Sequence, residues 1–330
     1  MTTPELPPPA VAPLDLEALQ TYPIEARRHL VSQAHFARPV EPDASAGELL
    51  DSLPRLLAAD RLRDVAEAMA VARAQGRRVV LGLGGHVVKV GLGPLIADMV
   101  ARGLVTDLAL NGSAAIHDVE IALAGATSEA VEETIADGRF GMIRETAAVF
   151  ERVFSRGAQG DLGLGRALAE ELAGGDYPHA SHSLVLQAAL AGATVTCHVA
   201  VGTDTVHAVP GADGAAIGAA THIDFRRLAA LVARLDGGVY ANVGSAVVLP
   251  EVFLKAVAVA RNLGHPVADV TAANFDMIQH YRPQRNVLER PVARGFALTG
   301  HHELMIPLLR VEALRRLAAH GGPRAPEATP

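Results

Sequence analysis

Short apolar runs alternate along the chain with longer stretches in which apolar residues recur every three or four positions. The short runs are RRVVLGL (77–83), VTDLALN (105–111), ATVTCHVAV (193–201), GGVYANV (237–243), VADVTAA (267–273) and RGFALT (294–299). They are rich in β-branched residues and nearly continuous in hydrophobicity, as expected of strands covered on both faces. Between them lie helical patterns such as PLIADMVARG, DFRRLAALVARL and PEVFLKAVAVARNLG. A further helical stretch, 46–76, ends at Gly76, a helix-stop residue. No internal repeat interrupts the alternation. Strand and helix in turn predict an α/β fold with a Rossmann-like, doubly wound, mostly parallel sheet and an N-terminal helical extension. The expected organisation is an arm over 1–45, partly disordered, one α/β domain over 46–310, and a helix end with a disordered tail over 311–330.

Ligands of such sheets gather where the strands end. Polar residues concentrate in the segments that follow the six runs: GGHVVKVGLGP, GSAAIHD, GTDTVHAVPGADGAAIG, GSAVVLPE, NFDMIQHYRP and HHELMIP. Glycines, histidines and acids collect there, whereas the runs themselves carry mostly aliphatics.

Three of these segments read as phosphate-approaching turns. Gly112, Ser113 and Ala114 allow a ligand close to the backbone, and Ser113 is placed to cap the helix beginning at IHDVEIAL. His117 and Asp118 follow one turn in, although Asp118 also fits the plain role of an acid near a helix N-terminus. Gly244, Ser245 and Ala246 repeat the device before Pro250 and Glu251. In the first turn, Gly85, His86 and Lys89 follow the strand directly. The chain has only two lysines, Lys89 and Lys255; Lys255 stands four residues after Glu251 and reads as its helical ion-pair partner. Asp204, His207 and Asp213 supply acids and a base after the third run. Neither a GxGxxG fingerprint nor a P-loop occurs.

Composition narrows the classes. The net charge is −7 over 330 residues, with no Trp and few Tyr or Phe. Nucleic-acid binding by phosphate neutralisation and base stacking is not expected. No run approaches the ~20 apolar residues of a membrane span, and the N-terminus lacks the pattern of a secretory signal. The single cysteine, Cys197, reads as a buried strand thiol and fits a reducing, cytoplasmic setting. Fourteen histidines raise a metal-dependent hydrolase or lyase using loops such as His301, His302 and Glu303. Yet HExxH and CxxC are both absent, so no metal site is assigned.

At these loops the chain resembles the deoxyhypusine synthase family over about 76–280. NGSAAIHD is similar to that family's T-A-G-G-V-E-E-D, GADGAAIG to T-D-G-S-x-G, NVGSAVVLPEV to L-G-G-G-V-V-K-H-H, and TAANFD to T-A-Q-E-F-D. The resemblance implies NAD as cofactor, a homotetramer built as a dimer of dimers, and a small amine or polyamine-like substrate. Carried over residue by residue, it gives Gly85, Gly112, Ser113, Ala114, Asp213, Gly244, Ser245, Ala246, Thr271, Ala272 and Asp276 as cofactor contacts. Lys89, His86, His117, Asp118 and His207 are then the catalytic candidates. The family's imine-forming lysine follows T-A-Q-E-F-D, but this chain has no lysine after Lys255. Arginine, always protonated, is no substitute nucleophile. The usual aminobutyl transfer through a lysine imine is therefore not expected, unless Lys89 serves as the imine lysine of a deoxyhypusine or homospermidine synthase. A protein that binds NAD without catalysis is the remaining alternative.

Overall fold

The computed structural model describes residues 9–322. The ends of the expected arm and tail, 1–8 and 323–330, lie outside the described residues. Residues 9–45 form an exposed, extended segment with three 3-10 turns, Leu16–Ala18, Ile24–Ala26 and Gln33–His35. Its end is tied to the body where Arg38 N donates to Ser52 O and Arg55 N to His35 O, both at 3.0 Å.

The body runs α1 (Ala46–Ser52), α2 (Leu57–Ala74), β1 (Val79–Leu83), α3 (Gly85–Lys89), α4 (Gly93–Ala101), β2 (Asp107–Asn111), α5 (Gly112–Ala124), α6 (Val131–Thr134), α7 (Arg144–Gly157), α8 (Leu164–Gly174), α9 (Leu184–Leu190), β3 (Thr194–His198), α10 (Gly214–Val232), β4 (Val239–Val243), α11 (Val248–Asn262), β5 (Thr271–Asp276), α12 (Tyr281–Pro283), a π-helical turn (Gln284–Glu289), β6 (Arg294–Thr299) and α13 (His302–Ala319). The 46–76 stretch is two helices rather than one, because Pro54 interrupts it. Gly76, at φ +70°, follows the end of α2 in the left-handed conformation that the sequence predicts.

All six strands are parallel, in the order β3-β2-β1-β4-β5-β6. This is the dinucleotide-fold order, and its direction of growth reverses between β1 and β4. Five strands sit where the apolar runs put them. β5 does not: the expected 267–273 becomes 271–276, and Val267 turns out of the strand at φ +43°.

Alternate side chains of β1 serve two cores. Val79, Leu81 and Leu83 face α2, α4, α5, α7 to α9 and α13, whereas Val80 faces α11 and the second half of α10. Tyr240 stacks on Phe253 in the second core, with ring centroids 3.8 Å apart. Burial on both faces explains why the strands read as continuous apolar runs.

Candidate functional site

The reversal point brings two glycine turns together. Gly84 follows β1, and its N–H donates to Val243 O at 2.8 Å. Gly244 follows β4 in the left-handed region at φ +69°. A Cβ on Gly84 would lie 2.0 Å from Gly244 O, and one on Gly244 would lie 2.9 Å from His302 Cε1. The bare backbone thus admits the first turn of α13 over the carboxyl ends of β1 and β4.

There His302 meets His86. Their Nδ1 atoms are 3.0 Å apart, and His302 Nε2 lies 3.0 Å from Phe275 O. A carbonyl oxygen only accepts, so His302 Nε2 carries the hydrogen. With both rings neutral, His302 Nδ1 is then a lone pair, and His86 Nδ1 must donate to it. The free lone pair of the pair is His86 Nε2. His302 is buried, while His86 is half-exposed at the rim. Burial, and then the neighbouring His302, hold the His86 imidazole below its ordinary value. Glu303 and Asp276 pull the other way, and Lys89 adds to the lowering.

Beneath this pair an amide chain fixes the turn after β4. Asn242 Nδ2 donates to Ser245 O at 2.9 Å and to Asn274 Oδ1 at 2.7 Å. Asn274 Nδ2 donates to Gln279 Oε1 at 2.8 Å, and Gln279 Nε2 to Leu298 O at 3.1 Å. The chain spans β4, β5 and β6. Asn242 Oδ1, fully buried, has no partner.

Several expected site residues do other work. Asp118 is buried and accepts from Ser183 Oγ at 2.5 Å, Leu184 N at 2.6 Å and Val185 N at 3.1 Å. It secures the start of α9 and presents no face to a substrate. Burial pushes its carboxyl up to about 6, against the pull of those hydrogen bonds. Ser113 does not cap α5; Asn111 does, with Oδ1 accepting from Ala114 N at 2.9 Å. The Ala114 N–H expected to meet a cofactor is therefore taken. Thr271 and Ala272 open β5, so they lie at the amino rim, a strand's length from the carboxyl edge. Of the three residues that the resemblance takes from TAANFD, Asp276 alone reaches the carboxyl rim. Asp213 is an exposed N-cap of α10, accepting from Ala215 N at 2.8 Å.

His207 is enclosed, its side chain 2% exposed. Its Nδ1 accepts from Gly202 N at 3.2 Å, so Nε2 bears the hydrogen and points, unpartnered, toward Asp204 Oδ2 at 4.0 Å. Burial lowers the imidazole and raises the Asp204 carboxyl. His117 belongs to a different chain of contacts. Its Nδ1 donates to Thr127 Oγ1 at 2.7 Å, and that hydroxyl donates to Glu120. Ser245 is buried, with Oγ accepting from Leu249 N at 3.2 Å, and Ala246 is half-buried beside it. Lys89 is exposed at the end of α3. Of five well-formed cavities, none takes in two of Lys89, His117 and Asp213. The one touching the start of α5, lined by Gly112, Asp204 and His207 among others, is about 10 Å³, room for little more than a water.

The glycines of these turns are packed by the chain itself. A Cβ on Gly85 would lie 2.1 Å from Ser113 Oγ, and one on Gly112 would lie 2.1 Å from Asp204 Oδ2. Together with Gly84 against Gly244, this leaves no glycine cradle for a diphosphate, and a carboxyl group already faces the start of α5. The residues present do not fit the diphosphate of NAD in this arrangement. No group of three or more His, Cys, Asp or Glu among the described residues is placed to hold a metal ion. No helix there is long and apolar enough to cross a membrane.

No family model and no curated protein matches the sequence. Solved structures do match. A conserved protein from Methanococcus maripaludis, described as LOR/SDH, superposes with a TM-score of 0.51 at 14% identity, over 79% of this chain and 70% of that one. AgrE in ternary complex with ornithine and NAD+ gives 0.48 at 14% identity, over 81% of this chain and 35% of that chain, so this chain spans about a third of AgrE. A protein from Entamoeba histolytica described as a deoxyhypusine synthase gives 0.45 at 10% identity, over 83% and 94% of the two chains. The first of these shares the α/β Rossmann-like fold of this chain; at such identity the likeness extends to fold alone.

Proposed function

We propose that this protein is an enzyme of the NAD-related Rossmann type that acts on a small amine at the carboxyl rim of β1, β4 and β5, with His86 as the proton acceptor. The observation that carries this reading is the chain Phe275 O, His302, His86. It leaves one basic nitrogen, His86 Nε2, at the point where an α/β sheet takes its ligand. The lowered imidazole stays neutral near pH 7 and is ready to accept a proton. When Nε2 takes a proton, Nδ1–H keeps its acceptor on His302, so no hydrogen bond is broken. The nearby Asp276 and Glu303 favour that cation and also an ammonium group on the substrate.

Lys89 serves in this reading as a rim cation. Imine-forming lysines are activated by desolvation, and Lys89 is exposed. Transfer through a lysine imine is accordingly not part of the proposal. The fold and the family resemblance favour NAD, but the turns hold no cradle for its diphosphate, so it has no part in the proposed chemistry.

Thermal denaturation of the wild type and His86→Ala with 1,4-diaminobutane tests the reading. Ligands of the native state raise the midpoint by mass action. The expected result is a rise with the amine in the wild type and loss of that rise in folded His86→Ala. No rise in the wild type, or an equal rise in His86→Ala, contradicts the proposal.

A further inference from the structure

The N-terminal arm leaves its own body. Residues 9–34 are all exposed, and nine large apolar side chains from Val11 to Phe36 are 50% or more exposed, Leu14 at 87% and Leu30 at 76%. Single exposed apolar residues are ordinary; a strip of this length marks a surface that another surface covers. The arm is partly stiffened for docking. Pro13, Pro23 and the three 3-10 turns restrict its backbone, which lowers the entropy lost when it is held. Within it, Ile24, Leu30 and Val31 flank Arg27 and Arg28. Both arginines are exposed, and neither joins an ion pair among the described residues.

The excursion between α5 and α7, residues 126–143, carries the complement. Val131, Ile135, Met142 and Ile143 are each 40% or more exposed. Glu129, Glu132, Glu133 and Asp137 stand there against one arginine, Arg139. Glu132 and Glu133 are exposed and pair with no cation among the described residues. The base of the arm and the excursion belong to opposite ends of the sheet. α1 packs on α13, and α2 packs against the edge strand β6, whereas α5 packs on β2 and the other edge strand, β3.

We infer that the arm binds a second copy of this chain, laying its apolar strip and Arg27 and Arg28 on the partner's excursion, with the exchange made in both directions. Reciprocal exchange about a two-fold axis closes on itself. Residues 9–37 are comparable in number to one side of a stable interface, about 20–30 residues. The arm and the excursion are apolar surfaces of opposite charge, both left open in the single chain, and pairing them covers both. The contact does not involve His86 and stands independently of the chemistry at the rim.

Sedimentation velocity of the full chain at micromolar concentration tests this. The wild type should sediment as a dimer or an assembly of dimers. The combined variant Leu14→Ser, Leu16→Ser, Leu19→Ser and Ile24→Ser should sediment as a monomer. Those side chains are exposed in the single chain, so the fold should survive, which circular dichroism and the melting midpoint establish. Arg27→Glu with Arg28→Glu should weaken association about tenfold or more by setting like charges against each other, and so should Glu132→Arg with Glu133→Arg. All four charge reversals in one chain should restore association. A monomeric wild type overturns the inference, as does a folded serine variant that associates as tightly as wild type. So does a four-reversal variant that associates no more tightly than either pair of reversals alone.

Discussion

Gly84 and Gly244 meet backbone to backbone where the sheet reverses its growth: a Cβ on Gly84 would stand 2.0 Å from the Gly244 carbonyl oxygen. That approach lets the turns after β1 and β4 close on each other, and it opens the space over Gly244 that His302 fills. The obstacle is backbone and cannot rotate away. Gly84→Ala is expected to cost on the order of 3 kcal/mol or more, as for strain at a tightly packed backbone position. Chemical denaturation checks this; a loss under about 1 kcal/mol contradicts so close a contact.

Asp118 joins α5 to α9 through three hydrogen bonds in a buried setting. Asp118→Ala leaves the Ser183 hydroxyl and the Leu184 and Val185 N–H groups without that acceptor. A destabilisation of about 2–4 kcal/mol is expected, read as a lower denaturant midpoint. A stability unchanged from wild type would show that α9 does not depend on this carboxyl group.

Two kinds of buried group give opposing pH dependence. Burial raises Asp118 and Asp224 to about 6 from 3.8. Such acids bind protons more tightly when folded, so their contribution to stability declines as pH rises from 3.8 to 6. His198 is held at about 3 by burial, against 6.5. Its unfolded form takes up a proton first, so its contribution is present above pH 6.5 and is lost as pH falls toward 3. In His198→Gln, stability should therefore fall more steeply between pH 4 and 6 than in wild type; in Asp118→Asn it should fall less steeply or rise. Denaturation series at those pH values read the slopes, and identical slopes in all three proteins contradict the assignment.

Lys255 is paired with Glu251 one helical turn away, on the exposed side of α11. Exposed pairs of this kind contribute little. Lys255→Ala should change unfolding stability by no more than about 0.5 kcal/mol. A larger loss would mean that Lys255 has a role beyond this pair.

The fold was legible because each strand is buried on both faces and so writes its hydrophobicity continuously. The end of β5 is not legible because the residues beyond Ala273 include the polar Asn274 and Asp276. Asn274 is tolerated inside the sheet because Asn242 pairs with it across β4 and β5 in matched register, a relationship between positions thirty-two residues apart. The pairing of Lys255 is legible because its partner is local; the role of Asp118 is not, because its partners come sixty-five to sixty-seven residues later. His302 was visible only as half of a histidine pair; its meeting with His86 spans 216 residues. Glycine-rich turns signalled close approach correctly, but what approaches is the chain's own backbone and side chains.

The most direct measurement is of the two tautomers. Long-range proton–nitrogen NMR on histidine-labelled protein near pH 7, assigned with His86→Gln and His302→Gln, reads which ring nitrogen bears hydrogen. The prediction is Nε2–H for His302 and Nδ1–H for His86, with the His86 preference lost in His302→Gln. A His86 ring found as Nε2–H in the wild type would remove the basic nitrogen from the rim and contradict the proposed chemistry.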